Sequence, residues 1–297
     1  MQRCHPPSPL QPGDRLHVVV PSGALREAER FHQGIECWRS QGFLVDLPKN
    51  YDQRWGYLAG SDDDRRAQLR AAWDNPDCRG ILCARGGYGG MRLLEDWDWG
   101  KNPNKWLIGF SDITSLLWSL SLCGVSGVHA AVLTTLAAEP EWSRQRLFDW
   151  VQGKALPPLQ GKSWVSGKAQ GLLLPANLTL ATHLLHTPIQ PGLEGVILAL
   201  EDVTEAPYRI DRMLTQWRLS GALSKVKGIA LGRFSQCDSP EGIPSFSVEG
   251  VLRDRLADLG IPLVVDMPFG HDGANAALPV GIPALLDGDT GSLHIGG

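Results

Sequence analysis

Ser111, Glu201 and His271 are the side chains in this sequence whose types suit nucleophilic hydrolysis, and each follows a run of apolar residues. Ser111 comes directly after Trp106-Leu-Ile-Gly-Phe110, whose apolar residues, broken only by Gly109, read as a short buried strand. From Asp112 to Leu122 the spacing becomes helical, with Ile113, Leu116, Leu117 and Leu120 on one face. A strand-to-helix turn of this kind lifts a serine hydroxyl off the sheet edge and sets it at a helix N-terminus. Gly109 stands two residues before the serine, as in a nucleophile elbow, but Ile113 stands two after it, where that motif has glycine. A plain serine N-cap accounts for the local pattern equally well.

Glu201 ends the apolar run Val196–Leu200 in the sequence Leu-Glu-Asp, with Asp202 as a competing carboxylate. At a buried strand end such an acid orients a histidine, or is simply solvated. His271 lies in Pro-Phe-Gly-His-Asp-Gly-Ala-Asn after the Leu263–Met267 run, a turn-rich setting that suits function better than core packing. A neutral hydroxyl is a poor nucleophile, so a histidine must take its proton, and a carboxylate fixes that histidine's tautomer. The order serine, glutamate, histidine along the chain is no obstacle, since the same geometry arises from several orders.

Arg85-Gly-Gly-Tyr-Gly-Gly90 lies between a strand and a helical segment. It has more glycine than a tight turn needs and reads as a loop whose backbone N–H groups face a ligand. A dinucleotide fingerprint fails because Arg92 stands at the third glycine position, and no Gly-Lys-Ser/Thr follows to make a phosphate loop. His183 and His186 form a His-x-x-His pair without a well-spaced third ligand, and His129 at a strand end reads as a packed residue.

The elements that must position these residues alternate. Apolar runs at 16–20, 43–47, 80–84, 106–110 and 127–130 are separated by helical patterns at 24–39, at 61–73 with an acidic first turn, and at 112–122. This predicts a doubly wound parallel sheet, with ligands bound beyond the carboxyl ends of its strands. The expected organisation is a nucleophile domain over 1–138, a Pro- and Gly-bearing linker over 139–167 with one short helix near 144–151, and a smaller mixed α/β domain over 168–297 that carries the glutamate and histidine. In that second half a strand at 196–200, a helix at 208–220, strands at 228–231 and 263–265 and a helix at 248–259 are expected, with a less regular tail.

The chain has 297 residues, 43% of them hydrophobic and 20% charged, and a net charge of −4. That balance fits a globular protein and argues against nucleic acid or an anionic membrane surface as partner. No signal peptide and no apolar run of membrane-spanning length are found, so a cytoplasmic location is expected. The six cysteines contain no Cys-x-x-Cys pair, with Cys37, Cys83 and Cys123 in apolar segments, and read as reduced core thiols.

Taken together, Arg85-Gly-Gly-Tyr-Gly, Gly109-Phe-Ser-Asp112, Leu200-Glu-Asp-Val-Thr-Glu-Ala-Pro-Tyr-Arg-Ile-Asp211 and Gly270-His271 with Leu278-Pro-Val-Gly281 resemble the bacterial serine LD-carboxypeptidases, the muramoyltetrapeptide carboxypeptidases of cell-wall recycling. Tyr57-Leu-Ala-Gly-Ser-Asp62 is similar too, and the resemblance spans nearly the whole chain. It implies a flavodoxin/Rossmann-like N-terminal domain carrying the serine, a Ser111–Glu201–His271 triad and an oxyanion hole from the backbone N–H groups of Asp112 and Gly87. It further implies a cytoplasmic homodimer that needs no metal or organic cofactor and cleaves the amide before the terminal D-alanine of murein tetrapeptide or a muropeptide. Arg85 is the candidate for the substrate carboxylate, with a structural salt bridge as its alternative role, and Gly86, Tyr88 and Asn177 are further substrate contacts. Where the family commonly has Gly-Gly-Asn-Leu this chain has Pro175-Ala-Asn-Leu178, which is expected to stiffen a loop near the cleft.

The nearest rival is a hydrolase of peptidyl- or aminoacyl-nucleotide antibiotics, an immunity enzyme with the same triad. More distant is a non-catalytic two-domain ligand-binding protein.

Overall fold

A computed structural model describes residues 1–100, 104–240 and 242–296. The chain divides into two compact units, Cys4–Ala155 with Ala276–Val280, and Leu156–Asn275 with Met1–Arg3 and Gly281–Gly297.

In the first unit β1 (Arg15–Val19), β2 (Leu44–Asp46), β3 (Cys78–Cys83), β4 (Trp106–Gly109) and β5 (Val128–His129) alternate with α1 (Ala28–Arg39), α2 (Asp62–Asp74), α3 (Gly90–Leu93) and α4 (Thr114–Ser121). Helices α5 (Leu133–Leu136) and α6 (Glu141–Val151) follow. The five strands are parallel in the order β5-β4-β3-β1-β2, and Leu278–Pro279 adds an antiparallel edge beside β5. This is the flavodoxin-like order, whose switch point lies between β1 and β3. The loops leaving those strands turn to opposite sides there, and they carry Ser22-Gly23 and the Arg85 glycine loop.

Helix α1 buries Phe31, Ile35 and Trp38, spaced as one helical face requires, in a core with Val18, Val20, Ile108, Leu133 and Phe148. Gly34 lets α1 press against α5, since a Cβ there would lie 2.0 Å from the Leu133 carbonyl oxygen. Helix α2 begins with a capping box, in which the Ser61 hydroxyl accepts from Asp64 N at 3.1 Å and Asp64 Oδ2 accepts from Ser61 N at 3.2 Å.

The second unit is more regular than the sequence suggests. Its strands are β6 (Leu159–Gln160), β7 (Lys162–Val165), β8 (Lys168–Asn177), β9 (Ile197–Val203), β10 (Gly228–Ser235) and β11 (Leu263–Val265). Then come β13 (Pro283–Asp287) and β14 (Ser292–Ile295), β12 being the Leu278–Pro279 edge of the first unit. They form one eight-stranded sheet in the order β6-β14-β13-β8-β9-β10-β11-β7. Its parallel centre, β8 to β11, is nearly continuous in apolar residues because both faces are covered. Helices α7 (Leu178–Leu184), α8 (Pro207–Leu219) and α9 (Val248–Leu256) complete the unit. The 139–167 stretch holds α6, β6 and β7.

Two local expectations are corrected. Pro175-Ala176 is not a loop but part of β8, paired with Ala199 and Leu200 of β9. Proline is tolerated there because β8 has run past Leu172, its last residue paired with β13, and keeps a ladder neighbour on one side only. Strand β9 does not stop at Leu200 but continues to Val203, so Glu201 lies within a strand with Asn177 of β8 as its register partner. Polar residues at 201 and 202 hid this extension. None of the six cysteines is in a disulfide, and Cys123, beyond the end of α4, is exposed. No helix among the described residues is long and apolar enough to cross a membrane.

The α2 cap gives a direct test. Ser61→Ala removes the capping acceptor and is expected to lower unfolding free energy by about 1 kcal/mol in urea titration, with an unchanged m-value.

Candidate active site

Ser111 follows β4 and has φ of +63°, a left-handed conformation that a side-chain-bearing residue rarely adopts. Phe110 before it is extended, and a single 3₁₀ turn, Ser111–Ile113, leads into α4. The chain therefore reverses sharply at the serine, as in a nucleophile elbow. The missing glycine at 113 is explained by packing. A Cβ on Gly109 would lie 2.9 Å from Ile113 Cγ1 and 3.1 Å from Cys83 Cβ, so the glycine before the serine makes room for the isoleucine after it.

The glycine loop closes on this turn. A Cβ on Gly86 would stand 3.2 Å from Ser111 Oγ, so the loop backbone lies directly against the hydroxyl. Gly87 has φ of +105° and is exposed. Tyr88 is exposed too, its ring edge-to-face with Tyr57 at 5.7 Å. Arg85 Nε lies 3.7 Å from Glu27 Oε2, a long ion pair, while its Nη1 covers Gly23 and Gly87.

Asp112 holds the arrangement. Its carboxylate is buried and accepts from Ser22 Oγ at 2.5 Å and from Gly90 N at 2.7 Å. Burial pushes its pKa up, while the hydrogen bonds from Ser22 and the Gly89–Gly90 backbone oppose that shift. Gly90 has no room for a side chain, since a Cβ would lie 2.9 Å from both Asp112 Oδ2 and Ser115 Oγ. Arg65, fully buried on α2, donates to the carbonyls of Pro21 and Gly89 and pairs with Asp62, which also binds Arg92. The loops after β1, β3 and β4 are thus tied at the switch point by Asp112 and Arg65. Sequence reasoning missed Ser22 and Arg65. The signal for Ser22 was its place in Pro21-Ser22-Gly23 at the end of the first strand; nothing local marked Arg65.

In the second unit Glu201 is fully buried and its Oε2 lies 2.6 Å from His271 Nδ1. Burial works to lower the His271 pKa, but the charge and hydrogen bond of Glu201 outweigh it and the net shift is upward. Between the two candidate acids the structure pairs Glu201 with the histidine. Adjacent strand residues point to opposite faces, and Asp202 accordingly turns to the start of α7, accepting from Thr179 N at 2.9 Å and Thr179 Oγ1 at 2.8 Å. Asn177, expected at the substrate, is itself buried: Oδ1 caps α7 by accepting from Leu180 N at 3.1 Å, and Nδ2 donates to Asp202 Oδ1 at 2.9 Å. The loop carrying His271 is fixed by Arg233 of β10, which donates to the carbonyls of Asp272 and Ala274 and pairs with Asp272 Oδ1 at 2.8 Å. Gly270 N donates to Asn275 Oδ1 at 3.2 Å. Arg233, in an otherwise apolar run, is a further positioning residue that its local sequence did not reveal.

His129 is buried with its ring edge-to-face on Phe110 at 5.8 Å, a packing role. Among the described residues no group of three or more His, Cys, Asp or Glu side chains could hold a metal ion.

Asp112→Ala would leave the Ser22 hydroxyl and the Gly90 N–H without their acceptor, in a site too buried for bulk water. The expected loss of unfolding free energy is roughly 2 kcal/mol or more by denaturant titration, and a loss under 0.5 kcal/mol would contradict the clamp.

Residues 16–130 match the family model for the LD-carboxypeptidase N-terminal domain, and residues 170–286 match that for the C-terminal domain. A Synechocystis sp. protein provisionally named as a carboxypeptidase is 59% identical over 288 residues, covering 97% of this chain and 96% of that one. The murein tetrapeptide carboxypeptidase of Pseudomonas aeruginosa is 31% identical over 301 residues, covering 94% and 95%. Among solved structures, the muramoyltetrapeptide carboxypeptidase of Oxalobacter formigenes superposes with a TM-score of 0.85 at 29% identity, over 95% of this chain and 99% of that one. The microcin C7 self-immunity protein MccF superposes with a TM-score of 0.88 at 21% identity over 98% of each chain, a likeness of fold. The chain belongs to the LD-carboxypeptidase family.

Proposed function

We propose that this protein is a serine LD-carboxypeptidase that hydrolyses the amide before the terminal D-alanine of murein tetrapeptide, with Ser111 as nucleophile, His271 as general base and Glu201 as its orienting acid. The observation that carries this reading is the left-handed Ser111 turn with the Gly86 backbone against its hydroxyl. The Glu201–His271 pair at 2.6 Å and the names of the relatives support it.

In this mechanism the Ser111 hydroxyl adds to the scissile carbonyl as His271 Nε2 takes its proton. The bond to Glu201 puts the other proton on Nδ1 and stabilises the imidazolium that forms. Collapse of the tetrahedral intermediate passes the proton to the departing amine of D-alanine. A water molecule, deprotonated by the same histidine, then releases the acyl group. The backbone N–H groups of Asp112 and Gly87 are assigned to the oxyanion, each such donor being worth about 3 kcal/mol. Arg85 is assigned to the terminal carboxylate, which can displace Glu27 from its 3.7 Å contact and offer the guanidinium a bidentate partner. Gly86 and the exposed Tyr88 complete the substrate side of that loop. Location in the cytoplasm and assembly as a homodimer belong to the same reading.

Purified protein is expected to release D-alanine from murein tetrapeptide, detected by mass spectrometry of the products. Ser111→Ala should reduce that release by at least about 10³-fold. Release unchanged in the variant would remove Ser111 from the mechanism, and cleavage of an aminoacyl sulfamoyl nucleoside with no tetrapeptide cleavage would favour the immunity-type reaction instead.

The pH profile follows from the histidine. A general base must be neutral, and Glu201 raises the His271 pKa above its usual 6.5, so activity falls as pH drops through that raised value. The acidic limb of kcat/KM is expected to have its midpoint above 6.5; a midpoint near 5 would contradict the assignment of the base.

A further inference from the structure

We propose that Asn177 and Asp202 are positioning residues, an amide and a second carboxylate that hold Glu201 in the orientation His271 requires. The inference deepens the triad reading, and one arm of its test stands without that reading.

The geometry fixes how Asn177 is turned. Its Oδ1 accepts from Leu180 N at 3.1 Å at the start of α7, so its Nδ2 must face the acids. There it donates to Asp202 Oδ1 at 2.9 Å and reaches Glu201 Oε1 at 3.4 Å. Glu201 Oε2, its other oxygen, meets His271 Nδ1 at 2.6 Å. The carboxylate of Glu201 is thus held at both oxygens, one by the amide and one by the imidazole. Strand register sets this up, since Asn177 of β8 pairs with Glu201 of β9.

Asp202 in turn fixes the amide. Its Oδ1 accepts from Asn177 Nδ2 and from Val203 N at 2.8 Å, and its Oδ2 accepts from Thr179 N and Thr179 Oγ1. Two neighbouring buried carboxylates are costly, and a capped helix alone does not need both. Burial first, and then the charge of Glu201, push the Asp202 pKa up to about 6. Asp202 is, after Glu201, one of the charges that raise the His271 pKa. The charged groups acting on that imidazole are Glu201 and Asp202 of β9 and Asp272 of its own loop, the last paired with Arg233 of β10.

The test separates positioning from simple helix capping. NMR titration of the His271 imidazole in the intact protein is expected to show its midpoint lowered by about half a unit or more in Asp202→Asn, because a negative charge has been removed. Ser247→Ala, which deletes the cap of α9 where Ser247 Oγ accepts from Gly250 N at 3.1 Å, should leave the midpoint in place. An Asp202→Asn protein that loses thermal stability yet keeps the wild-type His271 midpoint would overturn the proposal. Asn177→Ser keeps a capping oxygen but deletes the amide donor. It is expected to lower kcat on tetrapeptide about tenfold or more, with KM changed less than twofold. Equal kcat in Asn177→Ser and wild type would also overturn it. Should wild type cleave no tetrapeptide, the substrate assignment fails, while the imidazole titration still decides the roles of Asn177 and Asp202.

Discussion

The first unit depends most on the buried carboxylate of Asp112. A charge-bearing group with almost no water must be supplied with donors, and here they come from chain segments far apart in sequence: Ser22 after β1 and Gly90 beyond β3. Asp112 itself follows the strained serine, so the same group that satisfies those donors holds the elbow in place. Strain at Ser111 persists because its surroundings determine it from several sides. Arg65 works in the opposite sense, donating from a buried guanidinium to carbonyls of two of the same loops. An acceptor and a donor buried at one switch point leave the connecting loops little freedom.

The second unit solves a related problem with strand register. Parallel pairing of β8 with β9 sets Asn177 beside Glu201, and alternation along β9 sends Glu201 to His271 and Asp202 to α7. A slip of one residue would exchange the two acids. The apolar residues of β9, buried before Glu201 is reached, forbid that slip. Hydrophobic burial thus decides which carboxylate meets the histidine. Arg233 and Gly270 fix the loop that brings His271 to it, with Gly270 in a left-handed conformation at φ +132° and Arg233 bound to the loop carbonyls.

Much of this was legible in the residues. Alternating apolar runs and helical spacing marked the parallel sheet of the first half, and Ser61-Asp-Asp-Asp64 marked the start of α2 through its cap. The glycine loop and Gly109 were recognisable because glycine at a close approach leaves a trace in sequence. Other features left none. The ends of β8 and β9 were obscured because proline and acidic residues look like strand breakers until a neighbouring strand accounts for them. Asn177 looked like a substrate contact, although its amide faces buried carboxylates. Cys123 looked like a core thiol but lies beyond the end of α4.

By itself the sequence determined the kinds of element, the α/β class and the candidate side chains for nucleophilic hydrolysis, because periodicity and residue chemistry are local properties. It also held enough ordered motifs to mark the family. Tertiary structure decided that Ser111 occupies a left-handed turn, that Ile113 replaces a glycine by packing over Gly109, and that Glu201 and not Asp202 binds His271. It also showed that Ser22, Arg65, Asn177 and Arg233 serve as anchors. Those outcomes depend on which buried donors and acceptors meet across distant segments, and on strand register set by the surrounding core. Neither is encoded within any one stretch of chain.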